Sequence, residues 1–135
     1  MVDLQSQYHK IKPEIDIAIQ RIIDSASFVK GPEVKEFEKE LARYMGIRHV
    51  TACANGTDAL QVALMALNLR PGDEVITPDF TFIATVEVIA LLGLKPVLVD
   101  VNPDDFTLNM VSLKKAVNAK TRVIIPVHLF GQCSN

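Results

Sequence analysis

The chain has 135 residues, a net charge of −2 and 49% apolar residues. That is enough for one ordinary domain with a sizeable core, and it excludes a disordered chain, which needs low hydrophobicity and high net charge. The 14 lysines and arginines are scattered rather than gathered in a block, which argues against a nucleic acid or a membrane surface as partner.

The start, Met1 to Lys12, is polar and holds no signal-peptide core. The longest apolar stretch, Val88 to Leu94, is too short to span a bilayer. The expected setting is therefore soluble and cytoplasmic. Pro13 suits the first turn of a helix running to about Asp24, with Ile15, Ile19, Ile22 and Ile23 on one face. After a loop, Ser25 to Gly31, Pro32 starts a second helix. It has Val34, Phe37, Leu41 and Met45 inward and Gly46 as its stop. From Arg48 onward strand and helix alternate. His49–Ala54 reads as a buried strand, with Cys53 as a small apolar residue inside it. Thr57–Leu69 reads as a helix, Glu74–Thr77 as a short strand and Phe82–Leu92 as a helix ended by Gly93. Pro96–Val101 is a strand, Ser112–Asn118 a short helix and Arg122–Val127 a fourth strand. Cys53 and Cys133 make no CxxC pair and suggest no disulfide framework.

Short apolar strands separated by helices predict an α/β fold, with a parallel sheet covered by helices on both faces and two leading helices. Ligands of such sheets sit outside the carboxyl ends of the strands. Three places there can carry chemistry. Asn55-Gly56-Thr57-Asp58 joins a strand to a helix, where unpaired N–H groups and the helix dipole suit a phosphate. Gly56 leaves room for close approach and Thr57 adds a hydroxyl donor. Simple capping by Asn55 or Thr57 explains the same residues. Phe80 and Phe82 could give a flat ligand a stacking face, or both could pack in the core. His128 follows the last strand and reads as a hydrogen-bonded structural residue or a catalyst.

Together these pieces resemble something specific. Ala54-Asn55-Gly56-Thr57-Asp58-Ala59-Leu60, then Pro71-Gly72-Asp73-Glu74-Val75-Ile76-Thr77-Pro78, then Phe82-Ile83-Ala84-Thr85 are similar to the sugar aminotransferases of the DegT family, which depend on pyridoxal phosphate (PLP). Gly31-Pro32-Glu33-Val34 with Phe37-Glu38, Asp100-Val101, and Ile125-Pro126-Val127-His128-Leu129-Phe130-Gly131-Gln132 continue the likeness in order. The resemblance implies an aspartate-aminotransferase type of fold and a homodimer. The implied reaction moves an amino group, commonly from glutamate, onto a nucleotide-linked keto-sugar. It also implies that residues 1–135 are an incomplete N-terminal part of the PLP-binding large domain, with leading helices over 1–46 and an αβ repeat over 47–135. Gly56 and Thr57 would hold the cofactor phosphate, Asp58 would add mainly its N–H, and Phe82 would stack on the pyridine ring.

Three further family essentials have no counterpart here. They are an aspartate for the pyridine nitrogen, a serine for the phosphate and the lysine that bonds to PLP. No lysine of this chain falls near the expected phosphate site. No catalytic residue and no metal ligand is therefore assigned, and the polypeptide alone is expected to be inactive as a transaminase. The first strand is also expected to lack its partners, leaving an exposed edge. Two alternatives stay open: a PLP-dependent sugar dehydratase of the same family, and a non-catalytic α/β module that binds an anion.

Overall fold

The structure, a computed structural model, describes residues 2–135. Its elements run α1 (Leu4–Ser25), α2 (Pro32–Met45), α3 (Gly56–Ala66), β1 (Glu74–Pro78), α4 (Ala84–Leu91), β2 (Lys95–Val99), α5 (Met110–Ala116) and β3 (Thr121–Ile124). They fall into two compact units, one ending at Ala52 and one covering Cys53–Asn135.

In the second unit the strands form a parallel three-stranded sheet in the order β2-β1-β3. β1 is buried along its whole length and so takes the centre, where both faces are covered. Its side chains alternate across the sheet. Val75 joins Leu64 of α3 and Val88 and Ile89 of α4 on one face. Ile76 joins Val99, Leu108 and Leu113 of α5 on the other. Each such side chain removed from water contributes about 1.5–3 kcal/mol. The α/β architecture with helices on both faces is thus the one the apolar strands predict.

The amino edge of the sheet is tied by one carboxylate. Glu74, buried at the start of β1, accepts a hydrogen bond from Lys95 Nζ at the head of β2 (2.9 Å) and from Asn118 Nδ2 just before β3 (2.7 Å). The Asn118 bond first, then the Lys95 bond, hold the Glu74 carboxyl below the usual glutamate range.

Four expectations need correction. The first helix begins at Leu4, not Pro13. Asp3 caps it by accepting the Ser6 N–H (3.0 Å), so Pro13 lies inside the helix. The local cap outweighs the proline's preference for a first turn. His49–Ala54 is not a strand. A strand exists through a neighbour's ladder, and among the described residues the ladders join only β1, β2 and β3. The Ala52 N–H instead meets Glu38 Oε1 (2.8 Å). Cys53 is accordingly exposed, not a buried strand residue. Finally, the apolar faces of α1 and α2 lie at helical spacing, yet neither helix has a buried residue. Periodicity decides which residues share a face, not what covers it.

α2 keeps the bounds that Pro32 and Gly46 predict. Gly31, its N-cap, is required by close approach, since a Cβ there would lie 2.6 Å from the Ser27 carbonyl oxygen.

The lowered pKa of Glu74 sets a pH test. Its contribution is fully present above the ordinary glutamate pKa of about 4.3 and is lost as pH falls through the lower folded value. Glu74→Gln should therefore lower the urea midpoint at pH 7. The gap from the unsubstituted chain should close as the titration enters the acid range below that value.

Candidate functional site

The first turn of α3 is built by Asn55. Its backbone is extended, and its Oδ1 accepts the Asp58 N–H (2.9 Å) while its Nδ2 donates to Asp58 Oδ2 (3.1 Å). Asn55 O accepts the Ala59 N–H (3.1 Å). Asn55 is thus the cap, and the Asp58 N–H that the resemblance assigns to a phosphate is donated to Asn55 here. The N–H groups of Gly56 and Thr57 donate no hydrogen bond among the described residues. At Gly56 an added Cβ would meet nothing within 4 Å. The positive end of this 11-residue helix thus keeps two unused donors, with room beside Gly56. Thr57, half-buried, places its hydroxyl in the same turn. The residues fit a phosphate group by donor count and by room. The Asp58 carboxylate opposes an anion there, and its bond to the Asn55 amide offsets part of that charge.

Phe82 lies just before α4, in the connection from the carboxyl end of β1. It is 70% exposed, so the core placement does not hold for this ring. Phe80 is 46% exposed and goes elsewhere. Its ring centroid lies 5.3 Å from Phe106, which lies 5.7 Å from Phe130 in an edge-on pair. Phe106 adopts a left-handed backbone, φ 56°, uncommon for a bulky residue. Sequence reasoning missed this cluster because its rings come from the turns after three different strands. Thr81, between the two rings of the motif, has a buried hydroxyl without a hydrogen-bond partner among the described residues.

α3 and α4 pack on one face of the sheet through Leu60, Leu64, Val88 and Ile89. α3 leads into the start of β1 and α4 follows its end. Both helices therefore begin toward the carboxyl edge, where ligands of parallel sheets sit. Gly56, Thr57, Asp58 and Phe82 share that edge. A hollow of about 270 Å³, lined by Leu64, Met65, Leu92 and Leu94 among others, lies at the other end of α3 and belongs to the packing there.

His128 follows β3. Its Nδ1 accepts the Ser134 N–H (3.2 Å) and its carbonyl accepts the Gly131 N–H (3.0 Å). An accepting Nδ1 leaves the neutral ring's proton on Nε2. The structural reading of His128 is the one these bonds support.

A model of the DegT/DnrJ/EryC1/StrS aminotransferase family matches residues 9–135. The chain is 49% identical over 134 residues to a UDP-2-acetamido-2-deoxy-3-oxo-D-glucuronate aminotransferase of Pseudomonas aeruginosa, covering 99% of this chain and 37% of that protein. Among solved structures, a DegT DnrJ EryC1 StrS aminotransferase from Brucella abortus superposes with a TM-score of 0.94 at 45% identity, over 99% of this chain and 38% of that one. The NtdA protein of Bacillus subtilis, with bound pyridoxamine phosphate (PMP), superposes with a TM-score of 0.88 at 36% identity, over 93% of this chain and 29% of that one. The chain spans about a third of the length of the curated relatives it matches.

The Asn55 cap can be weighed by itself. Asn55→Ala should cost about 1 kcal/mol of stability, read from the urea midpoint.

Proposed function

The chain belongs to the DegT/DnrJ/EryC1/StrS aminotransferase family, and from that premise we propose that it is the amino-terminal part of a PLP-binding large domain. The whole protein would transfer an amino group from an amino acid such as glutamate to a nucleotide-linked keto-sugar, working as a homodimer in the cytoplasm. The observation that carries the cofactor part is the pair of unused N–H groups at Gly56 and Thr57, with open room where Gly56 lacks a side chain.

The residues divide the work as follows. The N–H groups of Gly56 and Thr57, with the Thr57 hydroxyl, hold the phosphate. Asp58 fixes the turn through Asn55 and so aims those donors. Phe82 offers its face to the flat ring and keeps water from it. Bound PLP supplies the electron sink that lets an amino group change carbons. The second unit's lysines gather at the opposite edge. Lys95 is bonded to Glu74, Lys114 and Lys115 close α5, and Lys120 precedes β3. None of them stands where a cofactor held by α3 could meet it, which supports the reading that the 135-residue chain holds the phosphate without performing transfer.

PMP is the suitable probe, because its amine does not react with surface lysines. Thr57→Ala should weaken its binding about tenfold or more, the effect of losing a hydrogen bond to a charged group. Gly56→Ala discriminates further. The space around Gly56 is open, so alanine should hold or raise helix stability, by up to about 1 kcal/mol. It should nevertheless weaken PMP binding by occupying the phosphate's approach. Calorimetric titration showing equal affinity for the unsubstituted chain and both variants would remove the cradle from α3.

A further inference from the structure

Pro78 ends β1 at the carboxyl edge and has no N–H to give. In a parallel ladder, alternate residues of a strand bond to opposite neighbours. Along β1 the even positions turn to β3. The Glu74 N–H donates to Lys120 O (2.9 Å), and Ile76 O accepts the Ile125 N–H (2.8 Å). The odd positions turn to β2, where the Asp79 N–H donates to Val99 O (2.9 Å) and Asp73 O accepts the Lys95 N–H (2.9 Å). The next donor toward β3 would be the N–H of residue 78, and its acceptor would be the Ile125 carbonyl. Proline removes that donor. The Thr77 hydroxyl takes its place, donating to Ile125 O at 3.1 Å.

We propose that Thr77 is a positioning residue: its hydroxyl substitutes for the N–H that Pro78 lacks and so holds together the two chain segments that leave the sheet beside the site. One segment, Asp79 to Ile83, carries Phe82. The other, Pro126 to Gln132, carries His128 and Phe130. The last regular pair between the strands is Ile76 with Ile124, so beyond Ile125 nothing else in the ladder sets their spacing. Thr77 is fully buried and Ile125 half-buried. An Ile125 carbonyl without this donor would be a poorly hydrated acceptor, which structures avoid. Thr77 acts through the backbone that presents Phe82, so its functional part rests on the cofactor reading above.

The test combines hydrogen exchange and binding. Thr77→Val keeps the shape and removes the donor; Thr77→Ser keeps the donor. In Thr77→Val, the hydrogen-bonded amides of the two segments, Asp79 (to Val99 O) and Gly131 (to His128 O), should exchange about tenfold faster, the size of one lost buried hydrogen bond. Amides at the amino edge, such as Glu74 and Val123, should be unchanged, and Thr77→Ser should behave as the unsubstituted chain does. Pro78→Ala restores an N–H at the ladder position. In that background Thr77→Val should accelerate exchange much less, a coupling that general destabilisation does not produce. PMP affinity and the induced circular dichroism of its ring should fall in Thr77→Val and return in Thr77→Ser.

Uniform acceleration across the chain, or equal effects of Thr77→Val with and without Pro78, would overturn the substitution. Loosened segments with unchanged PMP affinity and dichroism would overturn the positioning role alone. If the unsubstituted chain binds no PMP, the cofactor reading fails and takes the role with it, while exchange still decides whether the hydroxyl replaces the missing donor.

Discussion

Everything in the second unit is organised around a central strand that has no surface. Val75 and Ile76 point to opposite faces and each meets its own apolar cluster. A strand so placed must have its backbone satisfied by neighbours on both sides, since water does not reach it. That requirement fixes β2 and β3 as flanking strands and sends α3 and α4 to one face and α5 to the other. It also explains the division of labour between the two edges. The amino edge is closed by a buried carboxylate with two partners, Lys95 and Asn118. The carboxyl edge is left to loops and helix starts, where backbone donors remain unused.

That asymmetry is what makes chemistry available. Helices that run back against the strands begin at the carboxyl edge, with their unpaired N–H groups and positive dipole ends outward. α3 keeps two such groups free because Asn55 spends its side chain on Asp58, deeper in the turn. A cap that reached Gly56 or Thr57 would have closed the same opening. Rigidity and vacancy thus come from neighbouring residues of a single tetrapeptide.

Much of this was legible from residues alone, because the signals were local. Pro32 and Gly46 bracket α2, and continuous apolar runs marked the three paired strands to within a few residues. Gly56 and Thr57 stood out because they open a helix, and Phe82 because it lies where β1 hands over to α4. The misreadings share a different cause. His49–Ala54 has a strand's composition but no ladder partner, and Pro13 has a helix-start residue's identity but an upstream cap at Asp3. In both, something at a distance outweighed a local preference. The Asn55–Asp58 pair can be read from spacing, whereas the task of Thr77 cannot. It depends on which neighbour the proline's missing donor would have faced, and that is known only once strand order is known.

Strand order has a consequence for synthesis on the ribosome. β1 and β2 are joined through α4 and can pair while the chain is still emerging, but β3 arrives only after α5. Until then the flank of β1 destined for β3 is naked, an apolar ribbon able to recruit a strand from another nascent chain. Pro78 sits on that flank and interrupts its row of donors. The proline that leaves a gap in the finished ladder therefore makes the unfinished one a poorer template for aggregation, and the hydroxyl beside it closes the gap once the right partner has come.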